Sequence, residues 1–437
     1  MAHKGLSRAE VERLDSMWKA PGFIPTLIAV GAAFGSWALL LPVIPLAALE
    51  AGHSEALAGA STGVFMAATV ITQVFTPKAL RTFGYNPVML FSAMMLGVPA
   101  LGHLLGTEAW SILLFSALRG IGFGALTVSE SALIAELVPV RFLGKATGML
   151  GVFVGVSQMI GLPLGLALVN SLGYATVYFL AAGVALVAAI VCVWIPRIKA
   201  PPKTRSQDQQ QDDGAQQSAT WKLVLVPALA ITSLSMSFGA VSSFLPAAVL
   251  ELDAINGAVF GGLMLSVVGG AAMIARYLAG AIADYRGQPG ATMIPAQIAG
   301  FIGVSLMALV LAQQWSVWWL LLAGLLFGGA FGMVQNEALL SMFHRLPRSK
   351  VSEASAVWNV FFDAGTGIGS FLLGAVAARA AYSGAFWVGS GIVLIGLAVT
   401  VLDRIVGEKR LHRYDNTRAR LHRISSSQEP DSVANKQ

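Results

Sequence analysis

Runs of about twenty apolar residues recur along this chain, separated by short stretches in which charge collects. Each run is long enough to cross ~30 Å of hydrocarbon at about 1.5 Å per residue. Twelve such runs are read: 22–48, 55–77, 87–106, 110–138, 144–170, 173–195, 222–249, 257–283, 290–312, 316–342, 351–377 and 383–405. Backbone polar groups in lipid must be satisfied within the segment, by a helix or a closed barrel. The runs do not alternate as barrel strands do; Val184 to Val191 is continuously apolar. The pattern therefore predicts an all-α membrane protein of about twelve transmembrane helices. The polar segments divide the chain into an N-terminal segment (1–20), a first six-helix bundle (21–195), a linker (196–220), a second six-helix bundle (221–405) and a tail (406–437). The linker carries Pro201-Pro202, Gln209 to Gln211 and Asp212-Asp213, a flexible polar composition.

Two segments 203 positions apart close the second run of each half in a related way. One is Pro77-Lys-Ala-Leu-Arg81-Thr-Phe-Gly84, the other Gly280-Ala-Ile-Ala-Asp284-Tyr-Arg286-Gly287. A weak repeat between two hydrophobic halves is the mark of carriers built from two similar bundles, with function at their interface.

Charge sharpens this picture. Only 11% of residues are charged, against about 25% in a soluble domain, so lipid is the solvent for most of the chain. The net charge of +6 does not point to nucleic acid, because the lysines and arginines are sorted by loop. One side receives Arg8, Lys19, Lys78, Arg81, Arg141, Lys145, Arg197, Lys203, Arg205, Arg286, Arg345, Arg348, Lys350 and the tail arginines; the other receives Arg379, with Glu50, Glu55, Glu108, Glu251 and Asp253. The positive-inside rule then puts both termini and the linker in the cytoplasm. The first twenty residues are too polar for a signal peptide. They hold a capping box, Ser7 to Glu10, and Val11, Leu14 and Trp18 on one helical face. Two readings stand: an amphipathic helix on the inner membrane surface, or a mobile tail. Cys192 is the single cysteine and excludes an internal disulfide.

Twelve spans in a 6+6 arrangement, a polar central linker and a loop motif in each half resemble the major facilitator superfamily, and within it bacterial drug:proton antiporters. The resemblance implies that the loop motif latches the bundles on the cytoplasmic side. The C-terminal copy matches through Gly280, Asp284, Arg286 and Gly287, with Arg276 one turn earlier; the N-terminal copy is degenerate, with Pro77 for the glycine and Arg81 for the acid, followed by Gly84. Arg119 in Leu118-Arg119-Gly-Ile-Gly122 resembles the family arginine that supports proton transfer. Gly161, Pro163 and Gly165 resemble a glycine-proline pattern that lets the fifth helix bend, without the glycine directly before the proline.

The remaining candidates are polar residues at depth. Glu130 lies eleven residues after Arg119, on the same helix face and about 16 Å along the axis. Gln158 is near mid-span; Asn336 and Glu337 are in the tenth run, Asn359 and Asp363 one turn apart in the eleventh. Intramembrane charges are costly and mark pathways and relays. Arg119, Glu130, Glu337 and Asp363 together carry one positive and three negative charges, a sum of minus two. An acid must be protonated or a cation must balance the set. No GxxxxGK[ST] phosphate loop and no Cys/His cluster occur, so neither ATP nor a metal is expected, and His53 and His103 read as incidental.

These features predict a secondary active transporter, not an enzyme: proton-coupled efflux of a small amphipathic or cationic compound by alternating access. No cofactor is expected beyond the proton gradient that supplies energy. Partners are the substrate, protons and the lipid bilayer; the unit is a monomer in the cytoplasmic (plasma) membrane. Proton-coupled uptake or exchange of a metabolite is the alternative, and a non-transporting receptor a remote one.

Overall fold

The computed structural model describes residues 6–201, 220–252 and 257–407. Linker residues 202–219, the Asp253 loop and the tail from 408 lie outside the described residues, so the charge assignments made for Lys203, Arg205, Asp253 and the tail stay at the level of sequence.

The described chain is helical: α1 (Arg8–Glu12), α2 (Phe23–Leu40), α3 (Val43–Glu50), α4 (Glu55–Thr82), α5 (Tyr85–Gly102), α6 (Ala109–Leu137), α7 (Leu143–Leu172), α8 (Tyr174–Cys192), α9 (Thr220–Leu252), α10 (Gly257–Arg286), α11 (Met293–Gln313), α12 (Trp318–Arg345) and α13 (Val351–Gly407). The first apolar run is broken at Leu41–Pro42 into α2 and α3, because proline removes a helical amide. The last two runs are joined in α13, whose 57 residues would reach ~86 Å if straight. Ala380 and Ala381 leave helical geometry, Ala381 with φ 55°, and there the chain turns back. Eleven helical segments are long and apolar enough to span a membrane; counting α13 twice gives the twelve crossings read from the sequence.

Helices α2 to α8 pack among themselves, as do α9 to α13. Close packing in lipid relies on small residues. A Cβ on Gly120 or Gly124 of α6 would lie 2.3 Å from a carbonyl of α4, Phe65 O or Thr69 O. In the other half, a Cβ on Gly328 or Gly332 of α12 would meet Val268 O at 2.3 Å and Ala272 O at 2.0 Å on α10. The same four-residue glycine step joins corresponding helices in both bundles, which gives the repeat a structural basis.

Three expectations change. The repeated motifs are not loops: Pro77 and Arg81 are in the last turns of α4, Gly280 and Asp284 in those of α10. The start of the expected linker is fixed: Tyr85 N donates to Ile198 O at 2.9 Å and Ala200 N to Leu80 O at 3.3 Å, with Gly84 (φ 94°) making room for Ile198 O. The N-terminal segment is neither a surface helix nor a free tail. The capping box forms, but α1 ends at Glu12. Arg8 Nη1 donates to Val138 O at 3.1 Å, Glu12 Oε2 accepts from Val140 N at 3.2 Å, and Arg141 Nη1 donates to Glu12 O at 3.1 Å. Val11 is buried, so the segment is docked on the α6–α7 turn.

The ends of α4, α10 and α12, with Arg81, Arg286 and Arg345, and the α6–α7 turn, with Arg141, form one basic face. With Cys192→Ala as background, a membrane-impermeant maleimide is expected to label Arg379→Cys on intact cells and Lys145→Cys only after permeabilisation. The reverse pattern would overturn the orientation drawn from lysine and arginine bias.

Candidate functional site

Helix α7 starts at Leu143 after Phe142, which offers no capping side chain. Its first amides therefore lack acceptors. Asp284 of the opposite bundle supplies them: Oδ1 accepts from Gly144 N and Oδ2 from Lys145 N, each at 2.7 Å. A carboxylate at a helix N-terminus is favoured by both the free amides and the helix dipole. Only glycines permit this approach, since a Cβ on Gly280 would stand 1.9 Å from Gly144 O. Asn336 Nδ2 adds a bond to Gly144 O at 3.3 Å. Further along, Gly148 faces Tyr277, Gly151 faces Arg276 and Gly155 faces Met273; then Gly269 and Gly270 of α10 face open space. The helices touch over the basic-face half and part beyond it.

A second seam joins α4 and α6 to α13. From the basic face inward it comprises the ion pair Arg81–Glu353, the pair Arg348–Glu136 (Nε to Oε2 3.1 Å), Ser131 with Ser355, Asn359 Nδ2 to Thr127 O at 3.1 Å, and Gln73 Nε2 to Asp363 Oδ2 at 2.6 Å. One turn beyond Asp363, Gly367 faces open space. The bundles are thus fastened at the basic face as far as Asp363 and are apart farther out, the geometry of a carrier closed on its basic side.

Three charged side chains gather where the seams end. Asp363 is half-buried and, among the described residues, bonded only to Gln73. Glu130 is buried, and its Oε2 has no hydrogen-bond partner. Arg276 donates to Gln335 Oε1 at 3.0 Å, and its guanidinium lies over the Trp358 ring at 5.6 Å. Glu130 feels the charges of both Arg276 and Asp363, yet no ion pair within 4.0 Å forms among the three. Two carboxylates against one guanidinium leave a formal charge of minus one between the bundles.

This set differs from the predicted one. Glu337 is fully buried in its own bundle, where it accepts from Gly290 N and from Thr292 N (3.2 Å) and Oγ1 (2.5 Å); it caps the start of α11 and does not reach the cavity. Arg119 turns away from Glu130, toward α2, with Nη2 3.5 Å from Ser36 O. Asn336 and Asn359 are in the seams, not the cavity wall. Gln158 is half-buried and makes no hydrogen bond among the described residues. Gly161 and Gly165 serve packing: a Cβ there would meet Ala38 Cβ at 2.7 Å and Leu39 O at 2.2 Å on α2, while α7 continues through Pro163. Arg81 pairs across the bundles with polarity exchanged, the acid being Glu353 on α13. Arg286 is exposed and Gly287 (φ 65°) ends α10. Sequence reasoning put Arg276 with the loop; its place eight residues before Asp284, ~12 Å deeper, was the available signal. Gln73 and Thr127 gave none beyond polarity inside an apolar run.

Two six-helix bundles with a charged cluster at their meeting point define a membrane carrier. The profile of the Major Facilitator Superfamily matches residues 26–347, and the chain belongs to that family. It is a transporter and not an enzyme. A multidrug resistance protein, MdtG of Citrobacter koseri, is 25% identical over 371 residues, 83% of this chain and 89% of the relative. An MFS-type transporter of Mycobacterium tuberculosis (strain ATCC 25618 / H37Rv) is 28% identical over 182 residues, 41% of this chain. That match spans only about a quarter (26%) of the mycobacterial protein. Among solved structures, the proton:xylose symporter XylE superposes with a TM-score of 0.68 at 14% identity, covering 86% of this chain and 94% of that one. The human organic anion transporter MFSD10 does so with 0.67 at 17%, covering 87% and 98%. Both show the fold.

Proposed function

We propose that this carrier exports small amphipathic compounds in exchange for protons, with Asp363, Glu130 and Arg276 as the exchange site. The observation that carries the reading is the uncompensated negative charge of that cluster at the inner limit of the space between the bundles. A net charge in a water-poor site is costly. A proton or a cationic group relieves it, so the two compete. The basic face, fastened in this conformation, is the cytoplasmic one on the charge-sorting argument, so the cluster is loaded with protons from outside. Loading weakens the Gln73–Asp363 rung, because a charge-assisted bond becomes a neutral one. That favours opening of the seams toward the cytoplasm, where the proton leaves and cargo enters. The likeness to MdtG, named a multidrug resistance protein, supports export. The test is purified protein in liposomes. A pH gradient, acid on the side of the outer face, is expected to drive an amphipathic dye uphill toward that side, and a protonophore is expected to collapse the accumulation. Uphill movement with the proton flow instead would establish uptake.

A further inference from the structure

Arg119 takes no part in the exchange cluster, and its surroundings are unusual. The side chain is 2% exposed. Among the described residues its one hydrogen bond is the long contact with Ser36 O, and Nε has no partner. Phe65 lies under the guanidinium at 5.9 Å. Among the described residues no carboxylate stands within 4.0 Å of it. A buried cation without a counter-charge is among the most costly arrangements in a protein interior.

Arg119 also borders a cavity of about 20 Å³ between α2, α4 and α6, with Trp37, Ser61, Thr62 and Ser116. That is space for one or two water-sized groups. Its polar lining is biased: the guanidinium and the Trp37 indole are pure donors, and the hydroxyls of Thr62 and Ser116 can donate, while Ser61 Oγ gives its proton to Ala58 O at 2.7 Å. Trp37 Nε1 is buried without a partner. No acid lines the cavity. Donors gathered around a fixed positive charge with no acidic side chain match a small anion.

We propose that this pocket binds a monovalent anionic group, the carboxylate of an amphipathic cargo that also carries a cationic group being the occupant and a free halide the other source of the same chemistry. The apolar wall formed by Leu40, Ile44 and Phe65 suits the body to which a carboxylate is attached. That the anion is cargo rests on the transport reading above; that it binds does not.

The experiment is equilibrium binding to the full-length protein in nanodiscs, with no pH gradient, using radiolabelled benzoate in one arm and radiolabelled chloride in the other. Saturable binding is expected, weakened at least tenfold in Arg119→Gln and severalfold in Ser116→Ala, with Arg119→Lys intermediate. The serine variant keeps the test open should Arg119→Gln fail to fold. Benzoate saturation, displaced by chloride only at large excess, supports the cargo carboxylate. Chloride saturation without benzoate binding supports an anion site while overturning the carboxylate assignment. No saturable binding of either probe to folded protein, or binding unmoved by all three variants, overturns the site. Because no gradient is applied, failure here leaves proton exchange standing, and failure of exchange in liposomes leaves this result standing.

Discussion

Asp363→Asn is expected to abolish uphill export driven by a pH gradient while leaving downhill counterflow intact. The amide keeps the shape of the protonated acid, and its oxygen can still accept from Gln73 Nε2, which now bonds Asp363 Oδ2 at 2.6 Å. The rung therefore survives, but it can no longer change with proton occupancy. Exchanging a charge-assisted bond for a neutral one alters its strength by about 1 kcal/mol, so counterflow should stay within about fivefold of wild type. Gradient-driven accumulation should fall to the background of empty liposomes. Glu130→Gln is the companion, because Glu130 shares the cluster and its Oε2 has no hydrogen-bond partner among the described residues. Should Asp363→Asn, Glu130→Gln and the double variant all still concentrate dye against its gradient, the cluster does not couple transport to protons.

Gly280→Leu is expected to hold the carrier open at its basic face. Even a first carbon at Gly280 would lie 1.9 Å from Gly144 O and 2.7 Å from Asn336 Nδ2, and the contacting atoms at 144 are backbone, which cannot rotate away. The helices must separate, and the two bonds from Asp284 to the start of α7 go with them. Two bonds to a charged group are worth about 1.5–3 kcal/mol each. Their loss moves the ratio of conformations by about two to four decades. The readout is alkylation, by a reagent applied from the basic side, of a cysteine placed at Ser355, which is now buried in the seam. It should rise from near zero to near completion, and turnover should collapse because the outward conformation is rarely visited. Asp284→Asn should follow the same trend more weakly. Protection of the Ser355→Cys probe in Gly280→Leu would show that this contact does not set the conformational balance.

The parts of this molecule governed by local rules were open to a reading of the sequence. Apolar runs set the spans because lipid leaves the backbone no alternative, and the Gly280–Asp284 spacing survived because one helical turn carries both. What was hidden depends on partners far along the chain. Glu337 looked like a relay acid until Thr292 and Gly290 of its own bundle turned out to satisfy it. Arg81 looked like a broken motif because its acid, Glu353, is 272 positions away. Gly161 and Gly165 read as a bend, yet their use is decided by Ala38 and Leu39 on another helix. Arg276 was visible as a residue but not as a depth, since the end of α10 was placed too early. Spacing along a single helix reports which side chains share a face; it carries no record of what that face meets.

The docking of residues 6–15 has a consequence for biosynthesis. Arg8 is bound to Val138 O, 130 positions later. At about 5–20 residues per second, roughly 7–26 s pass between the synthesis of the two partners. During that interval the N-terminal segment has no seat, because the turn that receives it does not exist until four spans have left the ribosome. Its capture afterwards ties α1 to a turn next to Glu136, which also holds Arg348 of the other bundle. The segment around α1 is thus among the last to settle, and it does so only on a first bundle that has been threaded through the membrane in the right order.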